Sequence, residues 1–423
     1  MSTSQIADLA ARISANTAKV NEYYLVHKLP LPSFEIDGPL RSLISPGAVP
    51  EIEAARQAVI FDCQELRILM QGPSQYLSGF AATDLVGVQG ITRFGLAHAI
   101  PVGGEATFAE LAAKAKIGET HMRRLLRLAI SQHVFKEVRP GVVGHTAASR
   151  LLAEDELLYQ WMGFKTEEGW KGAYHTCEAM AKWPDSGEPN ETGFALGHEG
   201  HAMWDYLSEH PDSLHRFAAM MRFFSRRPGL EPHHVVGGYA WGNLPEGATI
   251  VDVGGSHGAI SIAIAREFPS VKLIVQDLDE AVIEEARKQR PADVADRVQY
   301  TVYDFFTEQP VRGAEVYFFR SIFHNWSDKY CIRILRNLIP ALKPGSRIVL
   351  DETVIPEPDK VPKQLEHTMR AGGMSMNTLF NSGDREMSEW ESIFKEADPR
   401  FHFRGGHQPP GSGLWIIEVE WQP

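Results

Sequence analysis

From Gly247 onward, short runs of β-branched and aromatic residues alternate with helical stretches, and this alternation constrains the chain more than any other feature. The runs are ATIVDVG, VKLIVQD, RVQYTVYD, AEVYFFRS and SRIVLDETV, with helices expected around 258–268, 279–290 and 328–342. Apolar strands separated by helices must be buried on both faces, so the pattern predicts an α/β fold with a mostly parallel sheet between helical layers. The tail, FHFRGGHQPPGSGLWIIEVEWQP, carries two more strand candidates around a Pro-Gly turn and predicts an antiparallel hairpin at the sheet edge.

The upstream chain has a different grammar. Apolar residues Ile6, Leu9, Ile13 and Val20 recur at helical spacing between Ser4 and about Tyr24. KLPLPSFEIDGP interrupts that pattern, a second helix is expected from Pro50, and a third from Ala81 to about Ala99. These helices hold little with which to close a core, which leaves two readings, a helical subdomain or a dimerisation layer. Residues 107–155 then read as helix, turn, helix and β-wing: FAELAAKAKI, GETHMRRLLRLAISQHVF with Thr120 as N-cap, and a hairpin turning at Pro140-Gly141. Lys114, Lys116, Arg123, Arg124, Arg127, Lys136 and Arg139 make this winged-helix segment locally basic, so nucleic-acid binding has to be weighed. Against it stands a formal charge of −12 for the whole chain. Residues 156–241 are rich in Trp, Met, His and Phe, a composition that suits either core or the walls of a pocket for a flat apolar ligand. The expected division is therefore 1–106, 107–155, 156–241 and 242–423.

In a doubly wound sheet, ligands bind beyond the carboxyl ends of the strands at the point where the strand order reverses. The first strand ends in Val251-Asp252-Val253-Gly254-Gly255-Ser256-His257-Gly258, which is neither G-x-G-x-x-G nor a phosphate-binding P-loop. Its glycines permit close backbone approach to a ligand. The second strand ends in Gln276-Asp277, where a carboxylate can accept both hydroxyls of a ribose, and the third in Tyr303-Asp304-Phe305, an acid and a ring suited to an adenine. Acids on three successive strands, in order, point to a nucleoside.

The fourth strand runs into FHNWSDKYC. With VDVGGSHG, IVQDLD, YDFF, ALKPGSRI, LFNSGDREMSEW and FKEADPRFHFRGGHQPPGS, this stretch resembles the S-adenosylmethionine-dependent O-methyltransferases of the caffeic acid and flavonoid type, and most closely their fungal polyketide-tailoring branch. The resemblance spans Ile250 to about Ser412, extends to the helical and winged-helix segments, and is looser over 157–237. It implies a Rossmann-like catalytic domain and a homodimer formed through the N-terminal helices, in which the winged helix walls the active site and binds no DNA. It also implies that Gly254, Asp277, Leu278, Asp304, Phe305, Arg320 and Trp326 hold S-adenosylmethionine. His324 corresponds to the general base, and Glu352 and Asp384 to the acids flanking it. Asp384 departs from the usual Glu, and Glu386 is the alternative.

The chemistry fits these residue types. A phenol has a pKa near 10, so at pH 7 only about one molecule in a thousand is the phenolate nucleophile, a deficit of about 4 kcal/mol. A histidine can take that proton as the hydroxyl attacks, and a carboxylate on its other ring nitrogen fixes the tautomer. No metal is called for: HNWSD is not a ligand spacing and the 17 histidines include no HExxH. His133, Trp161, Tyr174, Met220, Met221 and Phe224 are candidate substrate contacts for an aromatic or polyketide-like acceptor. Two other functions remain open at this stage: a pericyclase that binds the cofactor without transferring methyl, and a winged-helix regulator with a degenerate ligand domain. Three separated cysteines, no signal-like N-terminus and no long apolar segment predict a cytoplasmic protein that neither binds nor crosses a membrane.

Overall fold

A computed structural model describes residues 4–44 and 49–423. They divide into two compact units, one made of 1–171, 204–224 and 362–365, the other of 172–203, 225–361 and 366–423. Residues 156–241 contribute helices to both units.

In the first unit, Ser4 caps the helix Gln5–Val26 by accepting the Ala7 N–H, and this helix packs along Pro50–Ser78. The second helix bends where Gly72 takes φ 66° immediately before Pro73, the residue pair at which a helical ladder is most easily broken. Few side chains of this pair are buried (Leu9, Tyr24 and Ala55), while Ile6, Leu25, Ile60 and Met70 remain exposed. The expected third helix is in fact two, Asp84–Arg93 and Leu96–Ala99, because Gly95 adopts φ 62° between them. The unit's core gathers around Ile91, Leu96, Phe108, Leu111, Met122, Leu126, Phe135 and Val143.

Phe108–Ala115 begins with a capping box between Thr107 and Glu110. The following helix, Glu119–Ser131, is capped by Gly118 and not by Thr120, which lies inside its first turn and makes no cap bond. Three short strands, β1 (Glu105–Thr107), β2 (Lys136–Arg139) and β3 (Val142–Gly144), form an antiparallel sheet in the order β1-β3-β2. Four of the seven basic side chains here are ion-paired within the unit: Arg123 with Glu119, Arg127 with Glu137, Lys136 with Glu35 and Arg139 with Glu105.

The second unit is built on seven strands: β4 (Thr249–Val253), β5 (Lys272–Asp277), β6 (Val298–Val302), β7 (Val316–Arg320), β8 (Arg347–Glu352), β9 (Phe401–His407) and β10 (Trp415–Trp421). Their order is β6-β5-β4-β7-β8-β10-β9, parallel from β6 to β8, with β10 antiparallel to both neighbours. The tail hairpin therefore joins the edge with its second strand innermost. Alternation along β7 explains why the run VYFF is wholly apolar. Val316 and Phe318 enter the core containing Ile250, Leu273, Val349 and Trp241, whereas Tyr317 and Phe319 enter the opposite one with Val251, Leu350, Trp390 and Phe394. The chain lays β5 and β6 to one side of β4 and then returns to place β7 on the other, so the strand order reverses between β4 and β7. That is where the Gly-rich turn and the FHNW loop emerge together.

Candidate active site

The turn after β4 begins with Gly254 at φ 77°, and a Cβ there would lie 2.4 Å from Ile322 Cδ1. Gly254 and Gly255 both donate their N–H to the Gln276 carbonyl, at 2.8 and 3.0 Å, which folds the turn across the end of β5. Asp277, the last residue of β5, accepts the Ser256 N–H at 3.0 Å and the Asp279 N–H at 3.2 Å. Leu278 follows with 66% of its surface exposed. Asp304 lies just past β6 and accepts the Phe306 N–H at 2.9 Å, and Trp326 meets the Phe305 and Phe306 rings edge-on at 5.8 and 4.7 Å. These residues fit a nucleoside: a turn with no room for side chains, a carboxylate with lone pairs remaining, and an uncovered aliphatic side chain beside it.

Asp252 plays a different part from the acids that follow it. Its carboxylate is buried, takes a 2.6 Å hydrogen bond from Ser261 Oγ, and is pushed by burial up to about 6. It supports the turn from below and is not presented to a ligand. Arg320 is likewise engaged by the chain itself, donating to Asp351 at 2.7 Å and to the Leu230 carbonyl at 2.6 Å.

His324 sits in a single 3-10 turn, Phe323–Asn325, reached through Ser321, a non-glycine residue at φ 54°. A side chain held in the left-handed region at this place is the kind of strain that a surrounding network must impose. Glu352, the last residue of β8, supplies that network. One carboxylate oxygen accepts the N–H groups of Ile322 and Phe323 at 2.8 and 2.7 Å, and the other lies 2.9 Å from His324 Nδ1. Glu352 is fully enclosed, whereas the His324 side chain keeps 20% of its surface open. Burial alone drives the ring toward its neutral form, but Glu352 and, more weakly, Asp384 outweigh it and hold the imidazole pKa above the ordinary value. Asp384 is itself raised, first by burial and then by Glu352, against the opposing pull of His324. Of the two acids offered by SGDREMSEW, Asp384 is thus the one whose charge reaches His324. Glu386 instead caps the helix Met387–Ala397 and pairs with Arg370.

Two residues of the same segment escaped the sequence reading. Ser382 Oγ donates to the His324 carbonyl, and buried Arg385 binds the carbonyls of Phe323 and Trp326 at 3.1 and 2.6 Å. Their only signal was proximity to Asp384 in the chain. The acceptor candidates are dispersed. Trp161 packs on Phe223 and Phe224 in the first unit, which also holds buried Met220, half-exposed Met221, and His133 stacked on Phe34. Tyr174 belongs to the second unit and is 81% exposed, so its ring lines no interior pocket of that unit.

Comparison with known proteins fixes the family. A model of the O-methyltransferase domain matches residues 190–399, and one of the O-methyltransferase dimerisation domain matches 75–155. The grayanic acid biosynthesis cluster O-methyltransferase of Cladonia grayi is 40% identical, over 99% of this chain and 88% of that protein.

The chain belongs to the O-methyltransferase family.

It is an S-adenosylmethionine-dependent enzyme acting on a small molecule. The chlorophenol O-methyltransferase of Trichoderma longibrachiatum is 34% identical, over 99% of this chain and 90% of that one. Among solved structures, OxaC in complex with sinefungin and meleagrin aligns with a TM-score of 0.72 at 21% identity, over 97% of this chain and 99% of that one. A pericyclic reaction enzyme aligns with a TM-score of 0.67 at 22% identity, over 87% of this chain and 94% of that one. At these identities the two structures speak to the fold alone. Among the described residues no helix is long and apolar enough to cross a membrane.

Proposed function

We propose that this enzyme methylates a phenolic hydroxyl on an aromatic, polyketide-type acceptor, with His324 as general base and Glu352 as the group that orients and charges it. The observation carrying this reading is the His324–Glu352 contact at the mouth of the β4/β7 reversal. With Nδ1 directed at the carboxylate, Nε2 is the nitrogen that takes a proton, and the imidazolium so formed is stabilised by Glu352 and Asp384. S-adenosylmethionine supplies an electrophilic methyl carried by a sulfonium. Gly254, Asp277, Leu278, Asp304, Phe305 and Trp326 hold its nucleoside and methionine parts, and Arg320 acts beneath them as part of the floor. The name of the chlorophenol relative supports an aromatic hydroxyl as acceptor. The matched dimerisation domain and the exposed apolar side chains of the N-terminal helices support a homodimer. Three unpaired cysteines suit a cytoplasmic setting.

Incubation with methyl-labelled S-adenosylmethionine and a panel of chlorinated phenols, naphthols and aliphatic alcohols tests this directly. The expected result is an O-methylated phenol with equimolar S-adenosylhomocysteine. Transfer only to the aliphatic alcohols, or conversion of a substrate with no S-adenosylhomocysteine released, would refute it.

A further inference from the structure

We infer that Arg385 is a positioning residue for methyl transfer: its buried guanidinium clamps the loop that carries His324 and sets the electrostatic balance of the imidazole. The inference rests on the reading of His324 as the base.

Four observations carry it. First, the guanidinium reaches across the FHNW turn, donating through Nη1 to the Phe323 carbonyl at 3.1 Å and through Nη2 to the Trp326 carbonyl at 2.6 Å, on either side of His324. Second, the remaining capacity of the fork is directed by Nε to Asp328 at 2.9 Å, at the start of the helix Asp328–Leu338, and the guanidinium lies 5.1 Å over the Trp390 ring. Third, the Arg385 backbone bridges Val354 and accepts the Ile355 N–H at 2.9 Å, so the clamp is registered to the chain leaving β8, two residues beyond Glu352. Fourth, the turn is gripped from both sides in complementary fashion. Glu352 collects its N–H groups (Ile322 and Phe323), while Ser382 and Arg385 collect its carbonyls (Phe323, His324 and Trp326). A loop holding a strained Ser321 and an open-sided histidine needs such a grip if Nε2 is to stay aimed.

Charge matters as much as geometry. The groups facing His324 are Glu352 from β8 and Asp384 and Arg385 from the 381–386 segment, with Asp328 and Cys331 behind Arg385 on the helix that follows. Two carboxylates pull the imidazole toward its protonated form, in which it cannot act as a base. Arg385 is a cation that opposes them, and it keeps the ring neutral over more of the working pH range.

The test uses the full-length protein with labelled histidine rings, assigning the His324 resonance by its loss in His324→Asn. Arg385→Gln removes the charge and keeps amide donors, and Arg385→Lys keeps the charge and loses the fork. The His324 pKa is expected to rise by roughly one unit in the first and to move by no more than a few tenths in the second. At pH 7, transfer to a chlorinated phenol should fall by roughly tenfold or more in Arg385→Gln, with S-adenosylmethionine affinity unchanged. An unmoved pKa in Arg385→Gln, or an equal rise in Arg385→Lys, overturns the inference. Should neither variant fold, Asp328→Asn decides. It strips Arg385 of its exposed counter-ion and must lower the His324 pKa, and a static or rising value overturns the proposal. Full methyl transfer by His324→Ala would remove the base assignment itself, whatever the Arg385 variants do.

Discussion

Glu352→Gln is the substitution for which the geometry predicts most. The carboxylate receives three hydrogen bonds, from the Ile322 and Phe323 N–H groups on one oxygen and from the His324 ring on the other. A glutamine can satisfy only one side with its oxygen. If the oxygen stays on the backbone pair, the amide NH2 faces Nδ1, which must then accept, so the ring proton moves to Nε2 and the base is disabled. If the amide flips, two buried N–H groups lose their acceptor, at roughly 1–3 kcal/mol each. The first arrangement is therefore favoured, and the enzyme folds with the wrong tautomer. General-base assistance is worth roughly 10²–10⁴ in rate, or about 3–5 kcal/mol, and most of it should vanish. The assay is S-adenosylhomocysteine release at saturating cofactor with a phenol acceptor, alongside calorimetric S-adenosylmethionine binding, which should be unaltered. The stability of the fold should change with a defined sign. Because the folded-state pKa of His324 lies above its ordinary value, its protonation adds stability that is complete below about pH 6.5 and disappears as the pH rises through the raised value. Glutamine abolishes that contribution, so the difference in Tm between wild type and variant should be larger at pH 6 than at pH 8.5. A variant turning over within about threefold of wild type would refute the tautomer argument.

Other consequences can be checked with the same preparations. Asp277→Ala should weaken S-adenosylmethionine binding by about tenfold or more, the worth of a hydrogen bond to a charged group, and unaltered affinity would displace Asp277 from the ribose. Asp384→Asn removes a charge that holds the His324 pKa up, so the acidic limb of the kcat/KM profile should move to lower pH; a static limb would make Asp384 a bystander. Gly254→Ala forces a Cβ to within 2.4 Å of Ile322 at a positive φ, which should lower Tm by several degrees and impair cofactor binding, and a neutral result would show that the turn has slack.

The catalytic sheet is readable from the sequence because the inner strands β4, β7 and β8 are buried on both faces and appear as short, mostly apolar runs, whereas the edge strand β6 alternates buried and exposed residues. The three acids were equally visible, but not their different fates. Asp252 and Asp277 occupy similar positions in their strands, and only the pleat decides that Asp252 turns inward to Ser261 while Asp277 stays at the tip. The Thr120 cap failed because Gly118 already has the extended conformation from which the helix starts, and a glycine cap leaves no side-chain signal. The break at Gly95 was hidden for a related reason: an isolated glycine inside an apolar pattern does not announce whether it will turn left-handed. The sharing of 156–241 between two units depends on packing between segments distant in the chain, which local periodicity does not record. Arg385 and Ser382 act on carbonyls some sixty positions earlier in sequence, and only the folded chain brings them together.

Removal of the acceptor's proton by His324 is the step on which the proposed methyl transfer depends. The ratio of wild-type to His324→Ala methyl-transfer rates, measured from pH 6.5 to pH 10 with one phenol, tests this most directly. The predicted ratio is at least about a hundredfold near neutrality and shrinks toward unity as the phenol ionises by itself near its pKa of about 10. A ratio near one at neutral pH, or one that stays constant across the range, would contradict it.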